Sequence, residues 1–286
     1  MSAPLAHSGN VDQANYWNGP GGQHWIDRQE MQDKLLAPVA ELLLAAAAAR
    51  SGERVIDIGC GCGATTLDVA AVTGATGRAL GLDISEPMIE RARERAAELS
   101  VPAEFLVADA TVHDFTSERA DLMISRFGVM FFTDPALSFT NMRSGLRPGG
   151  RLAFACWRDP RLNPWLTLPL RAAIRHAPKL PELGPEDPGP FSFADEARVR
   201  RILGAAGFGD VTLEPRDLEL DTAVGGGIEN ALASALEIGP ASRVLQDQPD
   251  DVKAAAKEEI RAALEPHQRG DGVWLGAAIW IVRATA

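Results

Sequence analysis

A glycine-rich turn between an apolar strand and a helix constrains this chain more than any other feature of its sequence. The segment from Val55 to Ala64 reads VIDIGCGCGA, so three glycines alternate with other residues directly after the apolar run. Glycine permits positive φ, and it lets a ligand lie against the backbone without an intervening Cβ. Because a glycine pattern alone is weak evidence, the surrounding elements have to identify the fold and the ligand.

Short apolar runs alternate with helical patterns along the middle of the chain, which is typical of consecutive βαβ units around a parallel sheet. Most of these runs are apolar on both faces, as buried parallel strands are. The predicted strands are Arg54–Ile58, Arg78–Asp83, Glu104–Ala108, Ala120–Ser125, Arg151–Trp157, Val211–Leu220 and Gly272–Arg283. We therefore expect an α/β fold with a seven-stranded, mostly parallel sheet.

Helical patterns fill the segments around these strands. Leu35–Ala49 predicts a buried helix ahead of the first strand, and Ser192 with Asp195 forms a capping-box pattern that predicts another after the fifth. Further helices are predicted at Leu166–His176, Ile228–Leu245 and Val252–Leu264. The predicted organisation is an N-terminal helical lid at 1–50, a core at 51–158, 191–221 and 272–286, and substrate-cap insertions at 159–190 and 222–271.

The charge balance bears on the partners of this protein. Its 286 residues include 28 Lys and Arg against 39 Asp and Glu, which gives a formal charge of −11 at pH 7. This balance argues against nucleic acid or an anionic membrane surface as the main partner. Hydrophobic residues at 46% and charged residues at 23% are close to the usual globular shares and argue against disorder.

Neither a membrane span nor a disulfide framework is predicted. The longest apolar stretch, Leu35–Ala49, is interrupted by Pro38 and Glu41 and is shorter than the ~20 residues of a spanning helix. The amino-terminal residues show no secretory signal, so a cytoplasmic location is expected. Three cysteines cannot build a disulfide framework, and Cys60 and Cys62 lack the second Cys or His pair of a structural zinc site, so no metal is predicted.

Carboxylates follow three successive predicted strands. Asp57 comes two residues before the first glycine, where it would repel a pyrophosphate but suits an ammonium group. Asp83 ends the second strand, where it can accept both hydroxyls of a ribose, and Asp109 follows the third, within reach of an adenine edge. Three acids facing one crevice fit a nucleoside with a cationic amino-acid tail better than a dinucleotide.

A dinucleotide enzyme is nevertheless an alternative. Gly59, Gly61 and Ala64 satisfy the G-x-G-x-x-A spacing with which a helix amino terminus receives a pyrophosphate. A nicotinamide- or flavin-dependent oxidoreductase is therefore the first rival interpretation.

Four sequence blocks, in order, resemble those of the class I S-adenosylmethionine-dependent methyltransferases. They are VIDIGCGCGATTLDVA, LGLDISEPMIERA, FLVADAT, and DLMISRFGVMFFTDP followed by LRPGGRLAF. The resemblance covers about Leu35 to Trp157 and again Ser192 to Leu220, and the second block resembles the branch that includes quinone-biosynthesis methyltransferases. It implies a Rossmann-like, doubly wound sheet with an antiparallel last strand, and S-adenosylmethionine as the cofactor. It also implies in-line methyl transfer to an O, N, S or C acceptor on a small molecule.

The same resemblance implies roles for residues of the crevice. Asp57 would lie near the methionine amino group, or alternatively would orient the amides of the glycine turn. Asp83 would hold the ribose, and Asp109 would meet the exocyclic amine of the adenine. The remaining cofactor contacts would be Gly59, Cys60, Gly61, Ile84, Met88, Ala110, Ser125 and Arg126, with Phe127 beside them.

An aromatic and glycine-rich segment, Tyr16 to Trp25, precedes the core and is expected to close over the site. Tyr16 and Trp25 are its predicted cofactor contacts. Its His24 is a candidate general base, as is His176, and Arg126 is a candidate catalytic partner for a substrate carboxylate or phenolate. Methyl transfer from a sulfonium needs alignment and a dry site, so a base is required only for an acceptor of high pKa.

The sequence leaves other functions open. A non-catalytic S-adenosylmethionine-binding module would retain the three acids but lack an acceptor pocket, and the cap insertions argue against it. RNA methylation is disfavoured by the charge and by the lack of a basic or RNA-binding block in the sequence. The expected partner is a small-molecule acceptor, without nucleic acid or membrane insertion, and a homodimer is open. His113 and Asp114, beyond the third strand, are expected at the surface.

Overall fold

The computed structural model describes residues 8–178, 184, 186–237 and 239–286. The parts of the predicted lid, insertions and helices that fall on 1–7, 179–183, 185 and 238 lie outside the described residues. One sheet runs through the described part of the chain. Its strands are β1 Arg54–Ile58, β2 Arg78–Asp83, β3 Ala103–Val107, β4 Ala120–Arg126, β5 Leu146–Trp157, β6 Gly209–Asp221, β7 Gln268–Arg269 and β8 Gly272–Thr285.

The strands follow the order β3-β2-β1-β4-β5-β8-β6, and β7 pairs with β8 outside this row. The strands β1 to β5 pair in parallel, whereas β8 runs antiparallel between β5 and β6. The predicted α/β sheet, mostly parallel with an antiparallel last strand, is confirmed. The predicted number of seven strands omits β7, whose two residues are too few to produce an alternating hydrophobic pattern.

Helices pack against the sheet along its length. They are α1 Val11–Trp17, α2 Pro20–Asp27, α3 Gln29–Ala47, α4 Ala64–Thr73, α5 Glu86–Leu99, α6 Pro135–Ser144, α7 Pro164–Ala173, α8 Glu196–Ala205, α9 Gly227–Glu237, α10 Pro240–Leu245 and α11 Asp250–Leu264. The helix α3 packs against β4, β5, β6 and β8, while α4 packs against β1 and β2. None of the helices in the described ranges is both long and apolar enough to cross a membrane.

Two of the helix predictions are wrong in detail. The helix predicted over Ile228–Leu245 is two helices, because Gly239 adopts a φ of +88° that favours glycine and Pro240 then begins α10. The start of α8 is capped by Asp195, whose carboxylate accepts a hydrogen bond from the N–H of Arg198. Ser192 has a different role, since its hydroxyl donates to the carbonyl oxygen of Met130.

The helices α7, α9, α10 and α11, which we call the cap, have an apolar cluster of their own. It is separate from the core that surrounds the sheet. It joins α7, α9 and α11 through side chains such as Ala173, Leu232 and Ile260, which are at most 1% exposed. Trp165, near the start of α7, packs against both clusters. The segments predicted as insertions therefore form a subregion that meets the sheet core at Trp165.

The strand order places a crevice beside β1. Because β1 lies between β2 and β4, the direction in which strands are added reverses there. In register, Asp57 of β1 pairs with Gly81 of β2 on one side and with Ile124 of β4 on the other. Open α/β sheets bind their ligands at such a switch point, outside the carboxyl ends of the strands.

Candidate functional site

Gly59 and Gly61 of the glycine-rich turn serve different purposes. Both have positive φ, +66° and +54°. A Cβ at Gly59 would lie 2.7 Å from the Cα of Gly128, so this glycine allows two backbone segments to touch. At Gly61 the nearest atoms would be the Sδ of Met88 at 3.7 Å and the Nε1 of Trp25 at 3.9 Å. The backbone of Gly61 therefore borders the crevice, where a ligand can approach it.

Asp83 connects the end of β2 to the glycine-rich turn. Its Oδ2 accepts a hydrogen bond of 2.8 Å from the N–H of Gly61, and its Oδ1 accepts one of 2.9 Å from the N–H of Ser85. Burial raises the pKa of Asp83, and the hydrogen bonds from Ser85 and Gly61 oppose that shift. A carboxylate oxygen can accept more than one hydrogen bond, so Asp83 can also receive the two hydroxyls of a ribose.

Asp57 is almost completely buried, at 1% exposure. Its Oδ2 accepts hydrogen bonds from the hydroxyls of Thr65 and Thr66 at the start of α4, over 2.6 and 2.7 Å. Its Oδ1 is buried without a hydrogen-bond partner among the described residues. Burial raises the pKa of this carboxyl to about 6, against the opposing effect of the two hydroxyls and of Arg126. One oxygen thus ties β1 to the start of α4 through two threonine hydroxyls, rather than to the amides of the glycine turn that the alternative role named, while the other can accept a donor from a ligand.

Arg126, the last residue of β4, lies beside Asp57. Its side chain is 9% exposed, and its Nη2 lies 3.8 Å from the Oδ1 of Asp33, which is too long for a hydrogen bond. Burial lowers the pKa of Arg126, whereas the charges of Asp33 and Asp57 raise it. Asp33 also receives a hydrogen bond of 2.7 Å from the Nη2 of Arg95. The guanidinium of Arg126 and the Oδ1 of Asp57 both have unused hydrogen-bonding capacity. Together they suit the zwitterionic end of an amino acid.

Asp109, at 3% exposure, is engaged by the amino-terminal segment. Its two oxygens accept hydrogen bonds of 3.0 and 2.9 Å from the Nδ2 of Asn10, and its Oδ1 accepts another of 2.8 Å from the N–H of Thr111. The adenine contact predicted for Asp109 stays a prediction. Asn10 was not predicted from the sequence, because a single asparagine forms no motif.

The residues around the junction of α1 and α2 cap helix α5. The side chain of Asn18 accepts a hydrogen bond of 2.9 Å from the N–H of Glu86 and donates one of 3.0 Å to the carbonyl oxygen of Ile84. The hydroxyl of Ser85 donates to the carbonyl oxygen of Trp17 over 2.7 Å. The amino-terminal segment thereby lies across the junction between β2 and α5, as a lid would. Asn18 is a second residue that sequence reasoning missed.

Aromatic rings pack along this lid, which we define as residues 8–28. The ring of Trp17 meets those of Trp25 and Phe131 edge to face, at centroid distances of 6.4 and 5.2 Å. Two contacts then join the lid to the cap: Arg28 is ion-paired with Glu237 at the end of α9, and the guanidinium of Arg243 on α10 lies 5.6 Å from the ring centroid of Tyr16. The lid therefore touches both the crevice and the cap.

The other predicted site residues divide into two groups. Met88, Ala110 and Cys60 are buried near the crevice, and Ile84 is half-buried. Ser125 is fully buried and donates its hydroxyl to the carbonyl oxygen of Ile58 over 2.7 Å, so it joins β4 to β1. By contrast, His24 is exposed on α2, and His176 lies 3.8 Å from Glu259 on the outside of the cap. The structure thus gathers several of the cofactor candidates around the crevice, whereas both candidate bases are exposed to solvent.

Two further sequence expectations concern Cys60 and His113. Burial raises the pKa of Cys60 well above the ordinary thiol value, so its sulfur is a poor nucleophile. His113 is half-buried rather than at the surface, because its ring packs edge to face on Phe115 at 4.7 Å; Asp114 is exposed as expected. In the described part of the chain, no three His, Cys, Asp or Glu side chains are grouped as metal ligands would be.

These contacts fit a nucleoside that has an amino-acid end. Gly61 presents open backbone, Asp83 can accept ribose hydroxyls, and Asp57 of β1 with Arg126 at the end of β4 offers opposite charges. A pyrophosphate would meet the carboxylates of Asp57 and Asp83 where it needs donors. The arrangement favours the first of the two ligand classes considered from the sequence.

Comparison with known proteins agrees with the family that the sequence blocks resemble. A family model described as a methyltransferase domain matches residues 49–180. Nocamycin O-methyltransferase of Saccharothrix syringae is 31% identical over 193 residues, which cover 64% of this chain and 69% of that protein. Aklanonic acid methyltransferase of Streptomyces sp. strain C5 is 37% identical over 105 residues, 36% of this chain and 48% of that protein. For several such curated relatives, the chain spans about half of their length.

A solved structure shows the same fold. The YcgJ protein of Bacillus subtilis has a TM-score of 0.57 at 16% sequence identity, over 86% of this chain and 97% of that one. At this identity the likeness concerns the fold alone.

Proposed function

Since this chain belongs to the family of S-adenosylmethionine-dependent methyltransferases, we propose that it moves a methyl group from S-adenosylmethionine to an O, N, S or C atom of a small molecule. The observation that carries the proposal is the hydrogen bond from the N–H of Gly61 to Asp83, at a crevice where Asp57 and Arg126 lie buried together. Family membership also argues against the nicotinamide-dependent alternative.

The cofactor contacts that we propose follow the geometry of the crevice. Asp83 holds the ribose, and Gly59, Cys60 and Gly61 form the turn on which the cofactor lies. Asp57 receives the ammonium group through its Oδ1, and Arg126 receives the carboxylate of the same amino-acid end. Adenine contacts are assigned to Ile84, Met88, Asp109 and Ala110, and lid contacts to Tyr16 and Trp25.

Few protein groups are needed for the chemistry itself. When bound, S-adenosylmethionine supplies a methyl group on a positively charged sulfonium. The contribution of this chain is to align the reactants and to exclude water, and the ring packing of Trp17 with Trp25 and Phe131 suits that purpose. The exposed position of His24 does not suit a base in a dry site, so we assign no base.

The acceptor site is proposed in the cap. The cap helices surround an apolar cluster beside the sheet, and they are joined to the lid through Glu237 and Arg243. Relatives named for nocamycin and aklanonic acid support an organic small molecule as the acceptor. The cytoplasmic location, the lack of a nucleic-acid partner and the homodimer all stay predictions.

Two measurements test this function in sequence. Calorimetric titration with S-adenosylhomocysteine should give binding at one site per chain. A panel of organic acceptors incubated with S-adenosylmethionine carrying an isotopically labelled methyl group should then show transfer to at least one compound. Binding without any transfer would favour the non-catalytic binding module, and an absence of binding would overturn the proposal.

A further inference from the structure

A narrow cleft beneath the cap suggests the chemical class of the acceptor. Resting on the proposed function, we propose that the acceptor is an uncharged, largely apolar molecule with a hydrogen-bond-accepting oxygen, such as a phenol, an enol or a ketone. It binds in this cleft, with its oxygen on the indole N–H of Trp165.

The cleft has an apolar lining. It lies between α3, α7, α9, α10 and the end of α11, against the sheet, and its walls include Leu35, Leu166, Pro169, Ala235, Leu264 and Leu275. Apart from the indole of Trp165, the polar side chains that line it are the hydroxyls of Thr222 and Ser234. No charged side chain is among its lining residues within the described ranges. A phosphate, carboxylate or ammonium group would therefore be buried there without a counter-charge, which is unfavourable.

Trp165 supplies a donor that the protein itself leaves unused. Its Nε1 is buried and has no hydrogen-bond partner among the described residues. Most buried polar groups in folded proteins are paired, so an unpaired donor in the wall of a cleft indicates a position for a ligand acceptor atom. The hydroxyl of Thr222 is already committed, since it donates to the carbonyl oxygen of Val273 over 3.0 Å.

An aromatic stack connects this cleft to the crevice. The ring of Trp165 lies 4.9 Å from that of Trp157 at the end of β5, and Trp157 stacks on Phe127 at 4.1 Å with an interplanar angle of 14°. Phe127 directly follows Arg126 at the end of β4. Trp157 and Phe127 are both buried, so these packed rings connect Trp165 to the end of β4, where the cofactor is proposed to bind.

The lid is joined to two of the helices that line this cleft. Pro240 and Ala241 of α10 line it, and α10 is joined to the lid through Arg243 on Tyr16. The preceding helix α9 is joined to the lid through Glu237 and Arg28. In this conformation the cleft has a volume of only about 20 Å³, too small for an aromatic acceptor, so the acceptor enters only when the lid is released and α9 and α10 move apart.

The test uses the full chain saturated with S-adenosylhomocysteine and three probes of similar shape. They are 1-naphthol, naphthalene, which lacks the oxygen, and 1-naphthyl phosphate, which carries charge. Equilibrium dialysis should give the tightest binding for 1-naphthol and none for the phosphate. Trp165→Phe keeps an aromatic ring but removes the donor, so it should weaken 1-naphthol binding about fivefold and leave naphthalene binding within about twofold.

Ala235→Leu is the second variant, because it fills the cleft without introducing charge. It should abolish binding of 1-naphthol and naphthalene alike while the affinity for S-adenosylhomocysteine stays unchanged. Tighter binding of the phosphate than of 1-naphthol, or an unchanged 1-naphthol affinity in both variants, would overturn the inference. Failure to bind S-adenosylhomocysteine would instead overturn the proposed function, so the two failures are distinguishable.

Discussion

Asn10 donates its side-chain amide to both carboxylate oxygens of Asp109, over 3.0 and 2.9 Å, and so attaches the start of the lid to the end of β3. The two residues are 99 positions apart in the sequence, and both are buried, at 4% and 3% exposure. Buried hydrogen bonds to a carboxylate are stronger than neutral ones. The lid is therefore held by polar contacts as well as by its aromatic rings.

Asn10→Ala should loosen the lid. The change removes the amide that Asp109 accepts, so we expect the free energy of unfolding to fall by about 1–3 kcal/mol. Hydrogen exchange in α1 and α2 should accelerate. Asn230→Ala is the matched control, because Asn230 donates a similar bond of 2.8 Å to the carbonyl oxygen of Ala223 in the cap. Equal exchange of the lid in both variants would show that Asn10 does not hold it.

The pair of Arg28 and Glu237 should couple the lid to the cap. Both side chains are about one-third exposed, so breaking the pair should change the free energy of unfolding by less than about 1 kcal/mol. Arg28→Glu should nevertheless weaken S-adenosylhomocysteine binding several-fold, because the lid then opens more readily. Adding Glu237→Arg restores an ion pair and should recover most of the affinity. Strictly additive losses in the double variant would contradict this coupling.

Local patterns predicted the fold well because each of its elements has a local cause. The acids at the ends of β1 and β2 follow directly from buried strands, and Asp134 caps α6 by accepting a hydrogen bond from the N–H of Leu137. The break at Gly239 was missed although Gly239–Pro240 is itself a local signal for the end of one helix and the start of the next, because the hydrophobic pattern continues through α9 and α10.

The stability of the protein should depend on the titration of Asp57. Burial raises the pKa of this carboxyl to about 6 from its ordinary 3.8, so the folded chain binds the proton more tightly than the unfolded chain does. The contribution of Asp57 to the free energy of unfolding is therefore greatest below about pH 4. It is lost as the pH rises from about 4 to about 6. The two-unit shift corresponds to at most about 3 kcal/mol.

Urea unfolding of the wild type and of Asp57→Asn, at pH 4 and pH 7, isolates this effect. Other acids, Asp83 among them, are common to both proteins and cancel in the comparison. Relative to the variant, the wild type should lose about 2–3 kcal/mol between the two pH values. Parallel pH dependence of the two proteins would mean that Asp57 titrates at its ordinary value.

Arg126 should stabilise the fold through the acids beside it. Arg126→Gln removes the positive charge that acts on the buried carboxyl of Asp57 and on Asp33, so we expect the free energy of unfolding at pH 7 to fall. Arg126→Lys keeps the charge and should lose less. If urea unfolding gives the same stability for the Gln and Lys variants, the charge of Arg126 does not contribute.

The candidate site was only partly predictable. The sequence places Asp57, Asp83 and Arg126 at strand ends, but it does not reveal that Thr65 and Thr66 occupy one oxygen of Asp57 or that Asp33 lies near Arg126. These contacts depend on how α3 and α4 pack on the sheet. The contacts of the lid and cap are even less accessible to sequence analysis, because they join segments more than 200 residues apart.

Calorimetric titration of the wild type, Asp83→Asn and Asp83→Ala with S-adenosylhomocysteine is the most direct test of the proposed cofactor site. Asparagine keeps one acceptor oxygen but replaces the other with a donor amide, so it loses the charge and one of the two hydrogen bonds from Gly61 and Ser85, whereas alanine removes both. We predict binding by the wild type, a smaller loss for Asp83→Asn, and a loss of about 10- to 100-fold for Asp83→Ala, with both variants folded by circular dichroism. Wild-type affinity in a folded Asp83→Ala variant would contradict the assignment.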